Sequence, residues 1–412
     1  MVRIPFIACL LLTAGSMVSR SDSPDFTAPP HRYHERTPTD RFTRLKAVIE
    51  ADLPALDRAN EITFVRSLLR RLEIPVSSQL LVFSTTSLQL SLISPANPRA
   101  IFFNEDTSVG YIPGGRIEVV SIDPELGAIF YIFDLPRDTA PIRMERSGRC
   151  MNCHAGEDTG FFPGLVLKSV LPGPGGGSLD SFRHDLPGHA IPFADRFGGW
   201  HVTGAGSFSN HWGNLTGRLE SGNLIRISNP PGELFSFSRY PAATSDFVAH
   251  CVHEQQIGFL NRAIAAGYRT RSNLFTDSAG LTAEHRLELE QDADTLVRYL
   301  MFSEEAPFPT DALEPDSGFR REFRMNRREV AGRSLKDFNL RTRLFQHRCS
   351  YMIYSPVFAA LPDSLRSAVL HRLRAALRSE SPATDLAHLP EDERRILREI
   401  LTATLPEFAS GR

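Results

Sequence analysis

The chain has 412 residues, of which 42% are hydrophobic, so it is long and apolar enough to bury the cores of two or three domains. Its formal charge is −2, and the lack of a basic excess argues against nucleic acid as a partner. Beyond the N-terminus, no stretch is both long enough and sufficiently free of charge to predict a transmembrane helix.

The N-terminus has the pattern of a secretory signal peptide. Arg3 supplies a positive charge, and residues 4–15 form an apolar run that is too short to span a bilayer. Small residues at 14–16 offer a cleavage site. We therefore predict a signal peptide at residues 1–19 and export to the periplasm or the exterior of a bacterial cell. Lipid attachment at Cys9 is the alternative, and it would anchor the mature chain to a membrane.

Two amphipathic helices are predicted after a polar leader. Residues 20–39 contain four prolines, which indicate a flexible leader. Apolar side chains at helical spacing then predict helices at residues 40–52 and 58–72. Pro75 ends the second helix, because proline disfavours helical backbone in the residue before it.

A β-rich region is predicted next. Short runs of Val, Ile, Phe and Tyr alternate with turns, a pattern typical of antiparallel strands. The predicted strands are residues 79–84, 88–93, 100–103, 109–112, 117–122 and 128–134.

The strands lead into the string Cys150-Met151-Asn152-Cys153-His154. C-x-x-C-H is the attachment signature of c-type haem. The two thiols add to the vinyl groups of protohaem and form thioether bonds, and the following imidazole ligates the iron. We therefore predict one covalent haem c on Cys150 and Cys153, with His154 as the proximal iron ligand. Export agrees with this prediction, because haem is attached outside the cytoplasm.

The alternatives to haem are a disulfide, part of a zinc site, or a chance match. A closed zinc site needs further cysteines or histidines at ligand spacing, and no second C-x-x-C occurs in the chain. A redox C-x-x-C normally follows a strand and opens a helix, whereas this string lies in a polar stretch rich in Gly and Arg. The single string also excludes multihaem proteins with one motif for each haem.

The sixth iron ligand separates electron transfer from ligand binding and catalysis. The first methionine after Met151 is Met301, so a methionine ligand soon after the motif is disfavoured. Histidines between residues 184 and 211 lie nearer in sequence. We predict His189 first and His211 second as the distal ligand.

The rest of the chain is predicted to be mainly helical. His250, His253 and Glu254 lie within about one turn on the first of these helices, so a separate metal site is an alternative to a structural role. The arginine-rich residues 320–343 are by default a solvated surface, and contact with haem propionates or an acidic partner is the alternative. The predicted helices are residues 246–266, 282–302, 363–379 and 391–405.

Two cysteines remain outside the motif and the signal peptide. In an oxidising compartment Cys251 and Cys349 either form a disulfide or stay as buried thiols.

These predictions combine into an α+β fold with N-terminal helices, a mostly antiparallel β-rich middle region that carries the motif, and a helical C-terminal half. We place the α+β haem-carrying region at residues 40–215 and the mainly helical region at residues 216–412.

Several stretches together resemble a group of long, exported bacterial proteins with a single c-type cytochrome motif near the middle. The resemblance implies covalent haem c on Cys150 and Cys153 with His154 on the iron, but no particular reaction. We expect electron transfer to a redox partner protein; a haem enzyme or small-ligand sensor with an open distal site is the alternative. The stretches are residues 76–79, 81–84, 97–104, 123–127, 130–131, 150–154, 197–204 and 349–356.

Overall fold

The computed structural model describes residues 23–51, 56–135, 142–182, 187–309, 313, 318–378 and 386–410. Its architecture is α+β, with an antiparallel sheet in the middle region and helices towards the C-terminus, which confirms the predicted fold class. The predicted signal peptide, including Cys9, lies outside the described residues, as does His184.

Every predicted helix, and every predicted strand except residues 88–93, has a counterpart in the structure, and the helix predicted at residues 246–266 extends further, to Thr276. The helices are α1 (Arg41–Ala51), α2 (Glu61–Arg71), α3 (Met151–His154), α4 (Phe247–Thr276), α5 (Ala283–Leu300), α6 (Phe319–Phe323), α7 (Pro356–Ala359), α8 (Asp363–Arg378), α9 (Glu391–Thr404) and α10 (Pro406–Ser410). The strands are β1 (Leu80–Val82), β2 (Arg99–Phe103), β3 (Thr107–Tyr111), β4 (Ile117–Asp123), β5 (Gly127–Phe133), β6 (Glu145–Arg146), β7 (Val170–Pro172), β8 (Ser178–Ser181), β9 (Trp200–His201), β10 (Leu215–Glu220) and β11 (Asn223–Ser228).

The main sheet of the described residues has the strand order β6-β5-β4-β3-β2-β1-β9. All neighbouring strands are antiparallel, and β2 to β5 follow one another as a meander. Strand β9 comes from much later in the chain and pairs with β1 at the far edge, where Trp200 lies opposite Val82. Strands β5 and β6, just before the Cys150–His154 motif, form the other edge.

One face of the sheet is closed by the N-terminal helices. Phe42 of α1 is fully buried, and its ring lies 4.7 Å from the ring of Tyr131 on β5. The backbone N–H of Phe42 also donates to the hydroxyl of Ser121 on β4, at 3.3 Å. These contacts seat α1 on the middle of the sheet.

The opposite face, which we call the open face, carries a row of residues in register across four strands. Phe103 pairs with Ser108, Ser108 with Val120, and Val120 with Phe130. Because side chains alternate between faces, the neighbour Ile101 shares this face. Ile101 and Val120 are partly exposed although they are apolar, so this face is only partly covered by the rest of the chain.

Helix α4 covers one end of the open face. It begins after Asp246, whose carboxylate accepts a hydrogen bond from the N–H of Ala249 at 2.9 Å and so caps the helix. The ring of His253 packs on Phe103 at a centroid distance of 4.5 Å. Further along the helix, the side chain of Asn261 both accepts from and donates to the backbone of Leu165, at 2.8 Å each.

Two glycines of α4 give a matched stability prediction. A methyl group at Gly258 would overlap the hydroxyl of Tyr299 and the backbone carbonyl oxygen of Pro187. Since a carbonyl cannot rotate away, we expect Gly258→Ala to destabilise the fold by about 1–3 kcal/mol. At Gly267 the nearest atom is the mobile end of Arg271, 2.9 Å away, so Gly267→Ala should be neutral or stabilise by about 0.5–1 kcal/mol.

Urea unfolding followed by circular dichroism measures both changes. Equal midpoints for the two variants would contradict the close approach of α4 and α5 at Gly258.

The hydrophobic core is continuous across the described residues, from Tyr33 to Phe408. The two predicted regions, residues 40–215 and 216–412, therefore share one core, and the β10–β11 hairpin spans the boundary between them. Among the described residues, no helix combines the length and the apolar character needed to cross a membrane.

Two predictions need correction. The strand predicted at residues 88–93 is wrong: its leucines point outwards, and residues 90–92 form a 3₁₀ turn with no partner strand. The alternating leucines have the spacing of a strand, but the side chains of Ser87 and Gln89 donate to Glu118 and hold the segment as a loop. The leader is folded where it is described, because Tyr33 is buried and its hydroxyl donates to the carbonyl of Ala128 at 2.7 Å.

Candidate functional site

The two motif cysteines lie on one turn at the start of α3. Cys150 is partly exposed, Cys153 is exposed, and both are free thiols. Residues three apart on a helical turn face the same side, so both sulfurs are accessible together. The Sγ of Cys150 is 3.5 Å from the hydroxyl of Ser147, while burial raises the pKa of the Cys150 thiol.

The imidazole of His154 has one nitrogen engaged and one available. Its Nδ1 lies 3.0 Å from the carbonyl oxygen of Gly164. Burial, with a smaller contribution from Arg99, lowers the pKa of His154 to about 4, so the ring is neutral at pH 7. In a neutral ring the nitrogen that bonds a carbonyl carries the proton, which leaves the lone pair of Nε2 free to bind a metal. The ring packs against Phe130 at 4.4 Å.

The carbonyl that orients His154 is itself held in place. The preceding residue, Pro163, accepts a hydrogen bond from the N–H of Ala128 on β5 at 3.0 Å, and the following residue is bonded to Asn261 of α4. A side chain at Gly164 would come within 2.8 Å of Oδ1 of Asn261, so the close approach of this segment to α4 requires glycine. The orientation of the imidazole therefore depends on both the sheet and α4.

Partly exposed apolar side chains extend along the open face from the motif. Ile132 on β5 and Val120 on β4 lie next to Phe130, Ile101 lies further away on β2, and Leu167 is partly exposed on the segment that crosses above them. A flat porphyrin needs such a surface, since its ring is apolar. Accessible paired thiols, a neutral imidazole with a free Nε2 and an apolar wall together form a donor set that fits haem c.

Known proteins offer no further guide to the site: no protein-family model, no curated protein and no solved structure matches the chain. The site is therefore interpreted from its own residues.

The structure does not bring either predicted distal histidine to His154. The ring of His189 lies 4.3 Å from that of Tyr299 at the end of α5, and its Nε2 lies 3.1 Å from the carbonyl oxygen of Ser303. The ring of His211 lies 5.6 Å from Phe197, beside β9.

The chain reaches β9 through an extended crossing of the sheet. The carbonyl of Pro163 bonds to β5, whereas the carbonyl of Lys168 accepts from the indole of Trp200 on β9 at 3.0 Å. The segment between them thus runs from the motif's edge of the sheet to the opposite edge. Residues that follow it in sequence are therefore carried away from His154.

His253 shares the open face with His154 but lies at its other end. The two imidazoles pack on Phe103 and Phe130, which are three strands apart in one row. At about 4.8 Å between strands, this separation is roughly 14 Å. The two rings therefore do not share one metal ion, whose bonds to imidazole are about 2 Å long.

The alternative of a separate metal site at His250, His253 and Glu254 has no support among the described residues, where no three His, Cys, Asp or Glu side chains converge as ligands. The Nε2 of His250 is 2.9 Å from the carbonyl oxygen of His201. The carboxylate of Glu254 lies 3.5 Å from the guanidinium of Arg196. His250, His253 and Glu254 together border a small crevice that Phe197 and Trp200 also line.

The arginine-rich segment at residues 320–343 is largely engaged in ion pairs. Arg324 and Arg327 both contact the carboxylate of Asp337, at 3.1 and 2.8 Å, and Arg333 contacts Glu399 at 2.7 Å. The partners of these arginines in the described part of the chain lie within the segment itself or on α9, which favours a structural surface.

Cys251 and Cys349 are buried free thiols in the structure, not a disulfide.

Buried histidines predict a loss of stability in mild acid. Burial lowers the pKa values of His201, His250 and His253 to about 3, from 6.5 in an unfolded chain. Between these values the unfolded chain binds more protons than the folded one, so stability falls as the pH drops below about 6.5. We expect urea midpoints that are level above about pH 7 and fall steadily towards about pH 5.

His253→Phe isolates one of these groups. The variant keeps the aromatic contact with Phe103 and removes one titrating ring, so its midpoint should fall less steeply with pH than that of the wild type. Identical slopes for the two proteins would show that His253 is not protonated on unfolding in this range.

Proposed function

We propose that the protein is an exported bacterial c-type cytochrome that carries one covalent haem and transfers electrons through it. Cys150 and Cys153 would form the two thioether bonds, and Nε2 of His154 would be the proximal iron ligand. When bound, the haem supplies one-electron chemistry between ferric and ferrous iron. The observation that carries the proposal is the hydrogen bond from His154 to Gly164, which prepares the free Nε2 next to two accessible thiols.

The exposure of the motif supports exchange of electrons with a partner protein. Cys153 is exposed and Cys150 is partly exposed, so the thioether-bearing edge of the cofactor would lie at the protein surface. A short path from that edge to solvent favours transfer to a docked redox partner. Export, as the N-terminal sequence predicts, would place the protein where haem attachment occurs.

The first experiment is a pyridine haemochrome spectrum of the full chain, produced in a bacterial host with haem-attachment machinery. The expected result is a c-type spectrum that persists after denaturation and acid–acetone extraction, with one haem per chain. A purified, exported chain that lacks covalent haem would overturn the proposal.

A second candidate function, a small-ligand sensor or haem enzyme, is favoured by the composition of the open face. On β2 to β5, the residues that share this face with Phe130 include neither methionine nor histidine. An iron that lacks a sixth ligand from the protein binds external ligands. Rapid carbon monoxide binding to the reduced protein would favour this candidate, and a low-spin, unreactive iron would favour simple electron transfer.

A further inference from the structure

An ion pair lies on the open face, to one side of the row that runs from Phe103 to Phe130. The guanidinium Nη1 of Arg99 on β2 donates to Oε2 of Glu118 on β4 at 2.8 Å. The strand between them contributes Gly110 opposite Glu118, so no side chain separates the partners. The side chains of Arg99 and Glu118 are only 14% and 21% exposed, which makes the pair a fixed part of the face and not a mobile surface contact.

Glu118 is anchored independently of Arg99. The hydroxyl of Ser87 and the amide of Gln89 both donate to its other oxygen, Oε1, the amide at 3.0 Å. Although burial favours the neutral acid, Arg99 and these donors outweigh it and lower the pKa of Glu118. The carboxylate is therefore charged at pH 7 and holds the guanidinium in one orientation.

Arg99 has hydrogen-bonding capacity that this pair does not use. Its Nε is buried and has no hydrogen-bond partner among the described residues. A buried N–H without an acceptor is costly, and one on a charged group more so. An acceptor from outside the described chain would remove this cost, and an anion would do so best.

The pair lies close to the residues of the candidate haem site. Glu118 is opposite Ile132, two residues along β5 from Phe130, on which the ring of His154 packs. The guanidinium of Arg99 is 2.8 Å from this carboxylate and so lies near the part of the sheet on which His154 packs. A ligand that accepts a hydrogen bond from Arg99 would therefore be adjacent to the cofactor.

We propose that Arg99 is the hydrogen-bond donor for a small inorganic anion that binds at the open position of the haem iron, and that Glu118 is the residue that positions Arg99. The inference rests on the covalent haem of the proposed function and on the open iron position of the second candidate function, and it specifies the ligand class. Strands β2 to β5 contribute neither methionine nor histidine to the open face at that position, and they do contribute a fixed cation, Arg99, with a spare donor.

Fluoride and azide titrations of the ferric, haem-loaded full chain test the proposal, with dissociation constants measured from optical spectra. Haem content is measured first for every variant. Because a hydrogen bond to a charged group is at stake, Arg99→Leu should weaken fluoride binding by about 10- to 100-fold. Arg99→Lys keeps the charge and should recover part of the loss.

Arg149→Leu is the matched control. Arg149 is an exposed arginine directly before Cys150, so its removal takes away one positive charge near the motif without removing the directed donor. Its fluoride affinity should stay within about twofold of the wild type, because exposed charges act weakly through solvent. If Arg99→Leu does not fold, Glu118→Gln replaces it and should weaken binding by several-fold.

The outcomes separate this inference from the proposed function. A wild-type chain without covalent haem would end the proposed function. A haem-loaded chain that binds neither anion, or binds them equally after Arg99→Leu, would overturn only the role of Arg99. Unchanged fluoride affinity with a shifted midpoint potential would also overturn it, and would assign Arg99 to a carboxylate of the haem.

Discussion

Replacing both motif thiols, Cys150→Ala with Cys153→Ala, is expected to abolish covalent haem completely while leaving the chain folded. The thioether bonds require the sulfurs, so no partial effect is expected. The fold should tolerate the change, because Cys153 is exposed and Cys150 is only partly buried at the edge of the core. Haem staining of denatured chains measures the loss, and far-ultraviolet circular dichroism measures the fold.

Cys251→Ala and Cys349→Ala provide the control with the same chemical change. Both thiols are free and buried, so each substitution leaves a small cavity and should reduce stability by about 1 kcal/mol. Covalent haem should be retained in full. Haem that stays attached to the chain lacking Cys150 and Cys153 would refute the attachment site.

The sequence predicts elements well where one periodic pattern extends over several turns. The helices at Glu61–Arg71 and Glu391–Thr404 begin and end within a few residues of their predicted bounds, because each has one apolar stripe that faces the core. The same reasoning fails at residues 88–93, where alternating leucines face solvent. Periodicity reports which side chains alternate, and only the neighbouring strands decide whether a sheet exists there.

The candidate site likewise has one part that the sequence predicts and another that it does not. Cys150, Cys153 and His154 are recognisable because their spacing is local. Arg99 and Glu118 are far apart in sequence and meet only through the register of β2, β3 and β4, for which no short motif exists. Gly110, which lies opposite Glu118, is the one sequence feature connected with the ion pair. It becomes informative only once the pairing of β3 with β4 is known.

Proximity in sequence is a weak guide to a distal histidine. His189 and His211 follow the motif closely, but the extended residues between them and the motif cross the whole sheet. An extended chain covers about 3.3 Å per residue. The eight residues from Pro163, which bonds to β5, to Val170, which bonds to Gly198 just before β9, therefore suffice for this crossing. Nearness in sequence therefore favours a ligand only when the intervening residues fold back.

Arg196→Met is expected to cause the largest loss of stability of any single substitution considered for this chain, about 3–5 kcal/mol. The side chains of Arg196 and Glu254 are 4% and 2% exposed, and the guanidinium also donates to the carbonyls of His189 and Ile191, at 2.9 and 2.8 Å. The substitution would leave a buried carboxylate without its guanidinium and two carbonyls without their donor. Urea unfolding at pH 7 measures the change.

The exposed pair Arg395–Glu399 gives the matched comparison for this buried one. Its atoms are 3.0 Å apart, but its side chains are 53% and 42% exposed, so Arg395→Met should cost less than about 1 kcal/mol. Replacing Glu254 as well, by Gln, should recover part of the loss, since a buried charge that loses its guanidinium is the main cost. Equal losses in Arg196→Met and Arg395→Met would mean that solvent reaches the buried pair, and that residues 189–196 are not held to α4 through Arg196.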